Sequence, residues 1–328
     1  MRLPRRRFLR GQFLILAAAS VPALSRGAWA IDYPVKPIRW IVGYPAGGSA
    51  DTTARILAEW LAARLGQPVL IENKPGAATN ISLQAAINSP PDGYTLVYLG
   101  TSATVNPSFL DALPFDVLRD IAPVSGIADY PFVFVVNKSV PSRNVAEFID
   151  YAKARPGRIS MASFGAGTSS HLAGELFQSM TGVKLVHVPY RGEGFALADM
   201  ISGQVEVMFD TVSAAAPHIR SGALRALAVA GRSRYDGLPD VPTVSETVPG
   251  YEAMSWGGIG VPRGTPEEII NRLYREIDAG LQDPVVRKRL NDIAALPISY
   301  SPTAFGAFMA AETRKWAEVV HRAGIKAE

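Results

Sequence analysis

The sequence predicts an α/β fold built from two open units, and three observations predict it. Short runs rich in β-branched and aromatic residues alternate with apolar-periodic helical stretches from residue 31 onward. Two of those runs pass directly into glycine turns, Gly47-Gly48 and Gly165-Ala166-Gly167, that open helices. Beyond residue 30 no apolar run reaches the ~20 residues that a bilayer span takes. Strands that alternate with helices imply a parallel sheet covered on its faces.

The first unit begins at Ile38-Arg39-Trp40-Ile41-Val42-Gly43, a strand by composition. Tyr44 to Asp51 forms the turn. The helix after it carries Ala54, Leu57, Ala58, Leu61 and Leu65 on one stripe that must face a core. Ser49 is placed to cap that helix, Asp51 complements its positive first turn, and Gly66 stops it. Gly47 and Gly48 let the backbone bend and approach whatever lies in front. Such a turn leaves amide N–H groups without intrahelical partners, to be met by a cap and water or by an anion, most simply a carboxylate. Val69 to Glu72 is the next strand, ended by Asn73-Lys74-Pro75-Gly76, and residues 79–88 read as a helix. Thr95 to Leu99 is a third strand, running into the polar loop Gly100-Thr101-Ser102-Ala103-Thr104.

The second unit holds the apolar strand Phe132 to Val136, a helix over 144–154 and the strand Ile159 to Ala162. Its glycine turn, Ser163-Phe164-Gly165-Ala166-Gly167-Thr168, feeds a helix that contains His171. Strands follow at Val183 to Val188, Val205 to Asp210 and Leu224 to Ala230, with a helix over 194–202 closed by Gly203. Gly257 to Pro262, a helix from Thr265 to Leu281 and a C-terminal helix from Thr303 to His321 complete the chain. Ligands of open sheets sit beyond the carboxyl ends of the strands, so two such turns facing one another make a cleft.

The first 30 residues read as an address. Arg5-Arg6-Arg7-Phe8-Leu9-Arg10 gives a basic, twin-arginine-like start, Phe13 to Val21 is a short apolar stretch, and Ala28-Trp29-Ala30 is a cleavage signal. The expectation is export to the periplasm, by the twin-arginine or the general secretory route, with cleavage near Ala30. The segment also accounts for the basic pI. Its six arginines removed, the chain carries 27 basic and 29 acidic side chains, a net charge of −2, which argues against a nucleic-acid footprint. There is no cysteine, so disulfides and thiolate chemistry are excluded.

Familiar catalytic patterns fail one by one. Gly43-x4-Gly48-Ser49 lacks the lysine of a phosphate loop, and Gly165-x-Gly167-x-x-Ser170 ends in serine where a dinucleotide fingerprint needs glycine. Met161 stands where a nucleophile elbow around Ser163 would require glycine. His171, His187, His218 and His321 have no metal-ligand spacing. No cofactor is implied.

Taken in order, a set of segments resembles one family. The segments are Tyr33-Pro34 with Lys36-Pro37-Ile38, Tyr44-Pro45-Ala46-Gly47-Gly48-Ser49-Ala50-Asp51, Glu72-Asn73-Lys74-Pro75-Gly76-Ala77 and Pro91-Asp92-Gly93-Tyr94-Thr95-Leu96. They continue with Gly165-Ala166-Gly167-Thr168-Ser169-Ser170-His171-Leu172, Val188-Pro189-Tyr190-Arg191-Gly192, Gly203-Gln204-Val205 and Asp240-Val241-Pro242-Thr243. Over residues 31–328 the chain resembles the periplasmic substrate-binding proteins of tripartite tricarboxylate transporters, the Bug-type receptors.

That resemblance implies a two-lobed type II periplasmic-binding-protein fold, each lobe a mostly parallel sheet flanked by helices. Lobe 1 is expected over residues 31–129 and 233–328, and lobe 2 over 130–232. It implies a non-enzymatic receptor that holds a small mono-, di- or tricarboxylate on main-chain amides of the two turns and delivers it to membrane transporter subunits. Carried over by position, the binding groups are Tyr44, Ala46, Gly47, Gly48, Ser49 and Asp51, then Ser163, Gly165, Ala166, Gly167 and Thr168. Thr101, Ser102 and Asp210 assist.

Other roles compete at several positions. Asp51 either accepts a ligand donor or complements its helix, Tyr44 lids the ligand or packs in the core, and Arg191 meets a second carboxylate or pairs at the surface. His171 reads as a packed structural histidine. Two rival functions are a sensory receptor that presents its ligand to a signalling partner and an exported hydrolase using Ser163 with His171.

Overall fold

The computed structural model describes residues 32–109 and 113–323. The leader and its cleavage site lie outside the described residues. In chain order, β1 (Ile38–Val42) leads to α1 (Ser49–Leu65), β2 (Val69–Asn73), α2 (Asn80–Ile87) and β3 (Thr95–Gly100). α3 (Thr101–Phe109) follows β3 without a loop, and α4 (Val117–Asp120) precedes the 17-residue β4 (Ile121–Asn137). The middle of the chain forms α5 (Val145–Lys153), β5 (Ile159–Ser163), α6 (Ser169–Thr181), β6 (Leu185–Pro189) and α7 (Glu193–Ser202). It continues with β7 (Val207–Thr211), α8 (Val212–Arg220) and β8 (Leu224–Val229). β9 (Met254–Pro262), α9 (Glu267–Gln282), α10 (Pro284–Asp292), β10 (Leu296–Pro297) and α11 (Pro302–Ala323) end it.

Local chemistry accounts for most of these limits. α1, α6 and α7 stop at Gly66, Gly182 and Gly203, each in the left-handed conformation that glycine adopts at little cost. Asn144 caps α5 through its side chain, and Asp283 caps α10 ahead of Pro284. The buried residues of α1 include Ala54, Leu57, Ala58, Leu61 and Leu65, the stripe that the sequence marks.

The fold is mixed α/β, with one ten-stranded sheet in the order β2-β1-β3-β9-β4-β7-β5-β6, and β8 and β10 added on β4. Each end is a parallel trio, β2-β1-β3 and β7-β5-β6, centred on a strand that leads into a glycine turn. β4 joins the two ends. From Ile121 to Pro131 it pairs antiparallel with β9, and from Phe132 to Val136 with β7.

The apolar strand expected over Phe132 to Val136 is therefore the second half of β4. Pro123, Gly126 and Pro131 sit inside β4, which shifts register after Pro123 and Gly126. A second correction concerns Gly100 to Thr104: the polar loop is the start of α3, with Thr101, Ser102 and Thr104 buried. α4, α8, α10 and β10 were not anticipated.

Two of the four cores are tied together by α11. Phe305 and Met309 pack with Ile41, Leu99 and Trp256, whereas Trp316, Val319 and Val320 pack with Phe134, Phe177 and Phe209. β9 is glycine-rich because its neighbours lie close. A Cβ on Gly258 would overlap the Phe305 ring, and one on Gly257 the Tyr98 hydroxyl.

Candidate functional site

The first turn is held from within. Gly47 has φ +84, a conformation that favours glycine, and its N–H donates to Asp51 Oδ2 at 2.8 Å. Asp51 is buried, its Oδ2 also accepts Arg55 Nε at 2.9 Å, and its Oδ1 accepts Asn73 Nδ2 at 2.9 Å. Although burial raises the Asp51 carboxyl, these hydrogen bonds outweigh it and hold the group below the usual carboxylate range. Asp51 thus clamps the turn. The expected cap is corrected here: Gly48 is the N-cap, with no side-chain cap bond, and Ser49 is the first helical residue. Asp51 reaches back over the turn and does the closing that Ser49 was expected to do. The amides of Gly48, Ser49 and Ala50 have no acceptor among the described residues.

The second turn is held by histidines. Gly167 N–H donates to His171 Nδ1 at 3.1 Å, and Ser163 Oγ lies 2.6 Å from His187 Nε2. The two imidazoles stack with centroids 3.7 Å apart. Burial and the neighbouring His171 lower His187 to about 4, so it is neutral at pH 7. Gly165 has φ +136 and its N–H donates to Ser163 Oγ at 3.2 Å. Thr168 Oγ1 donates to the Gly165 carbonyl at 2.7 Å. The Ala166, Ser169 and Ser170 amides have no acceptor among the described residues. Ser163 is wholly buried and pairs with His187, which removes the hydrolase pairing with His171.

Other expected residues fall into three places. Tyr44 is half-buried and packs edge-on to Tyr98 of β3, with ring centroids 5.8 Å apart, so it joins the first turn to β3. Where β3 meets α3, Thr101 Oγ1 lies 3.4 Å from Ser255 Oγ. Ala46 is exposed on the first turn, and Arg191 is exposed ahead of α7.

Asp210, at the end of β7, is fully buried. Its Oδ1 accepts the Thr211 N–H at 2.8 Å, and no N–H or O–H reaches Oδ2. Its neighbour is the Glu193 carboxyl. Burial first and the Glu193 charge second raise Asp210 well above the carboxylate range and so favour its protonated form.

Sequence reasoning missed Glu193, Ser213 and Asn73. Glu193 Oε1 accepts Thr211 Oγ1 at 2.6 Å, Thr211 Oγ1 lies 3.0 Å from Ser213 Oγ, and Ser213 Oγ lies 3.4 Å from Ser49 Oγ of the first turn. Position offered one signal, since Ser213 follows a strand end and Asn73 ends β2. A strained turn was also missed. Ala77, Ala78 and Thr79 all have positive φ, at roughly 1–3 kcal/mol each, and Asn106 Nδ2 holds the Ala78 carbonyl at 2.8 Å.

A sheet with unpaired amides at two strand-to-helix turns, one of them touching the start of α8 through Ser49, defines a small-solute receptor. The comparisons place it. Residues 53–325 match the model of the tripartite tricarboxylate transporter family receptor. Protein BugT of Bordetella pertussis is 38% identical over 319 residues, 96% of each chain. Among solved structures, an R. palustris protein with adipate has a TM-score of 0.83 at 35% identity, covering 90% of this chain and 99% of its own. MatC from Rhodopseudomonas palustris with bound malate has a TM-score of 0.78 at 30% identity, covering 88% and 100%. The chain belongs to the tripartite tricarboxylate transporter receptor family, whose members are periplasmic solute-binding proteins and not enzymes.

Proposed function

We propose that this chain captures a small organic acid between two lobes, residues 31–129 with 233–328 and residues 130–232, and hands it to the membrane subunits of a tripartite transporter. The first 30 residues direct export and are cleaved near Ala30. The ligand carboxylate lies against the free amides of Gly48, Ser49 and Ala50 on one side and of Ala166, Ser169 and Ser170 on the other. Tyr44, Ala46, Gly47, Asp51, Thr101, Ser102, Ser163, Gly165, Gly167, Thr168 and Asp210 shape or brace those two turns.

The observation that carries this reading is the set of amides left unpaired at two helix N-termini. Each hydrogen bond to a carboxylate contributes roughly 1.5–3 kcal/mol, and each helix N-terminus adds about 0.3–1 kcal/mol. A micromolar complex needs about 8 kcal/mol. Four or five such contacts supply it after ordering costs. The adipate and malate held by the two R. palustris relatives support a carboxylate ligand. Calorimetric titration with citrate, C4–C6 dicarboxylates, aromatic acids and amino acids tests the proposal; heat from none of them would overturn it.

A further inference from the structure

Four oxygen-bearing side chains form one line. Ser49 Oγ, Ser213 Oγ and Thr211 Oγ1 are spaced 3.4 and 3.0 Å apart, and Thr211 donates to Glu193 Oε1 at 2.6 Å. Thr211 has a single hydroxyl proton, committed to Glu193, so it accepts from Ser213; Ser213 in turn accepts from Ser49. The Ala214 N–H also donates to Thr211 Oγ1, at 3.3 Å. The line is therefore directional, ending on the Glu193 carboxylate. Beneath Glu193 lies Asp210, fully buried, with an Oδ2 that no N–H or O–H of the protein reaches. Burial and the neighbouring Glu193 both favour the protonated form of Asp210.

The consequence is an acceptor-only surface. Ser49 spends its proton on Ser213 and is left with acceptor lone pairs, and Glu193, half-buried at the start of α7, presents a carboxylate. α7 begins beside the second turn, since Tyr190 N–H donates to the Ser163 carbonyl at 3.0 Å and the Tyr190 carbonyl lies 3.3 Å from where a Gly165 Cβ would be. The donors at the two turns are amides, and the line that starts on the first turn has the acceptors Ser49 and Glu193 at its two ends.

Resting on the carboxylate reading above, we propose that Glu193, with Asp210 as its positioning residue, selects organic acids bearing a hydroxyl or ammonium group beside the bound carboxylate. Thr211 serves Glu193 Oε1, and an unsubstituted acid brings no further donor to that carboxylate. A neighbouring hydroxyl or ammonium satisfies it, and buried polar groups discriminate strongly when one partner is missing.

Calorimetry on two matched pairs, succinate with malate and phenylacetate with mandelate, tests this. Wild type is expected to favour the hydroxylated member of any pair it binds by at least about tenfold. In Glu193→Gln the preference falls to within about twofold. Asp210→Asn, whose amide donates to Glu193 as the acid does, retains the preference, and Asp210→Leu loses it. Equal binding within each pair by wild type, or a preference unchanged in Glu193→Gln, overturns this inference and leaves the receptor reading standing. Binding of no member of either pair overturns this inference, and the receptor reading falls with it only when the wider panel of acids also gives no heat.

Discussion

Ser49 and Ser213 stand 164 residues apart in the chain, and their hydroxyl oxygens are 3.4 Å apart. This contact links the first glycine turn to the segment that follows Asp210. A hydrogen bond of this kind is worth about 0.5–1.5 kcal/mol. Ser213→Ala is expected to weaken carboxylate binding by roughly two- to tenfold and to leave the urea midpoint nearly unchanged. A loss of stability equal to the loss of affinity would assign the pair to the fold alone.

Gly48 separates stability from binding by sign. It is the N-cap of α1, with φ −76 and ψ 170, and a Cβ there meets only the Pro45 carbonyl at 3.6 Å. Asp prefers that position, by a few tenths of a kcal/mol over glycine. It would also place a negative charge before the free amides. Gly48→Asp is expected to hold or raise Tm while abolishing carboxylate binding in calorimetry.

Asp129 and His187 pull acid stability in opposite directions. Burial, aided by Glu252 and Glu312 and opposed by Arg232, raises Asp129 from 3.8 to about 6. The native state then holds the proton more tightly than the unfolded chain, so this group makes stability fall as pH rises from about 4 to about 6. His187 is depressed from 6.5 to about 4, so its contribution is complete above 6.5 and is lost as pH falls toward 4. Asp129→Asn is expected to be more stable at pH 7, by at most about 3 kcal/mol, and to lose stability more steeply than wild type on acidification. Urea midpoints between pH 4 and 7 check both signs.

Gly258 tests the packing of β9. Its missing Cβ makes room for the Phe305 ring, so Gly258→Ala overpacks a buried strand. The expected cost is about 1–3 kcal/mol, which for a chain of this size lowers Tm by roughly 2–4 °C per kcal/mol. Thermal unfolding followed by circular dichroism measures it.

Much of the fold was legible because local rules and tertiary structure agree. The stripe on α1, the glycine stops of α1, α6 and α7 and both strand-turn-helix units are periodic or punctuated in the sequence. β4 was only half legible, because prolines and glycines that usually end strands sit inside it and are accommodated by register shifts. α3 hid behind polar residues that the fold buries, with Thr104 Oγ1 donating to the Thr101 carbonyl at 2.8 Å. At the site the glycine turns were readable from composition. Their bracing was not: Asn73, His187 and Glu193 reach Asp51, Ser163 and Thr211 over 22, 24 and 18 residues. No short motif encodes such distances.

The shared strand has a consequence for handling the molecule. Because β9 lies between β3 and the first half of β4, severing the chain near Asp129 parts β9 from both and exposes raw backbone donors and acceptors on each fragment. Neither piece could be excised as a tidy unit. Fragments made that way would zip onto each other, or onto copies of themselves, before they stayed in solution as separate bodies.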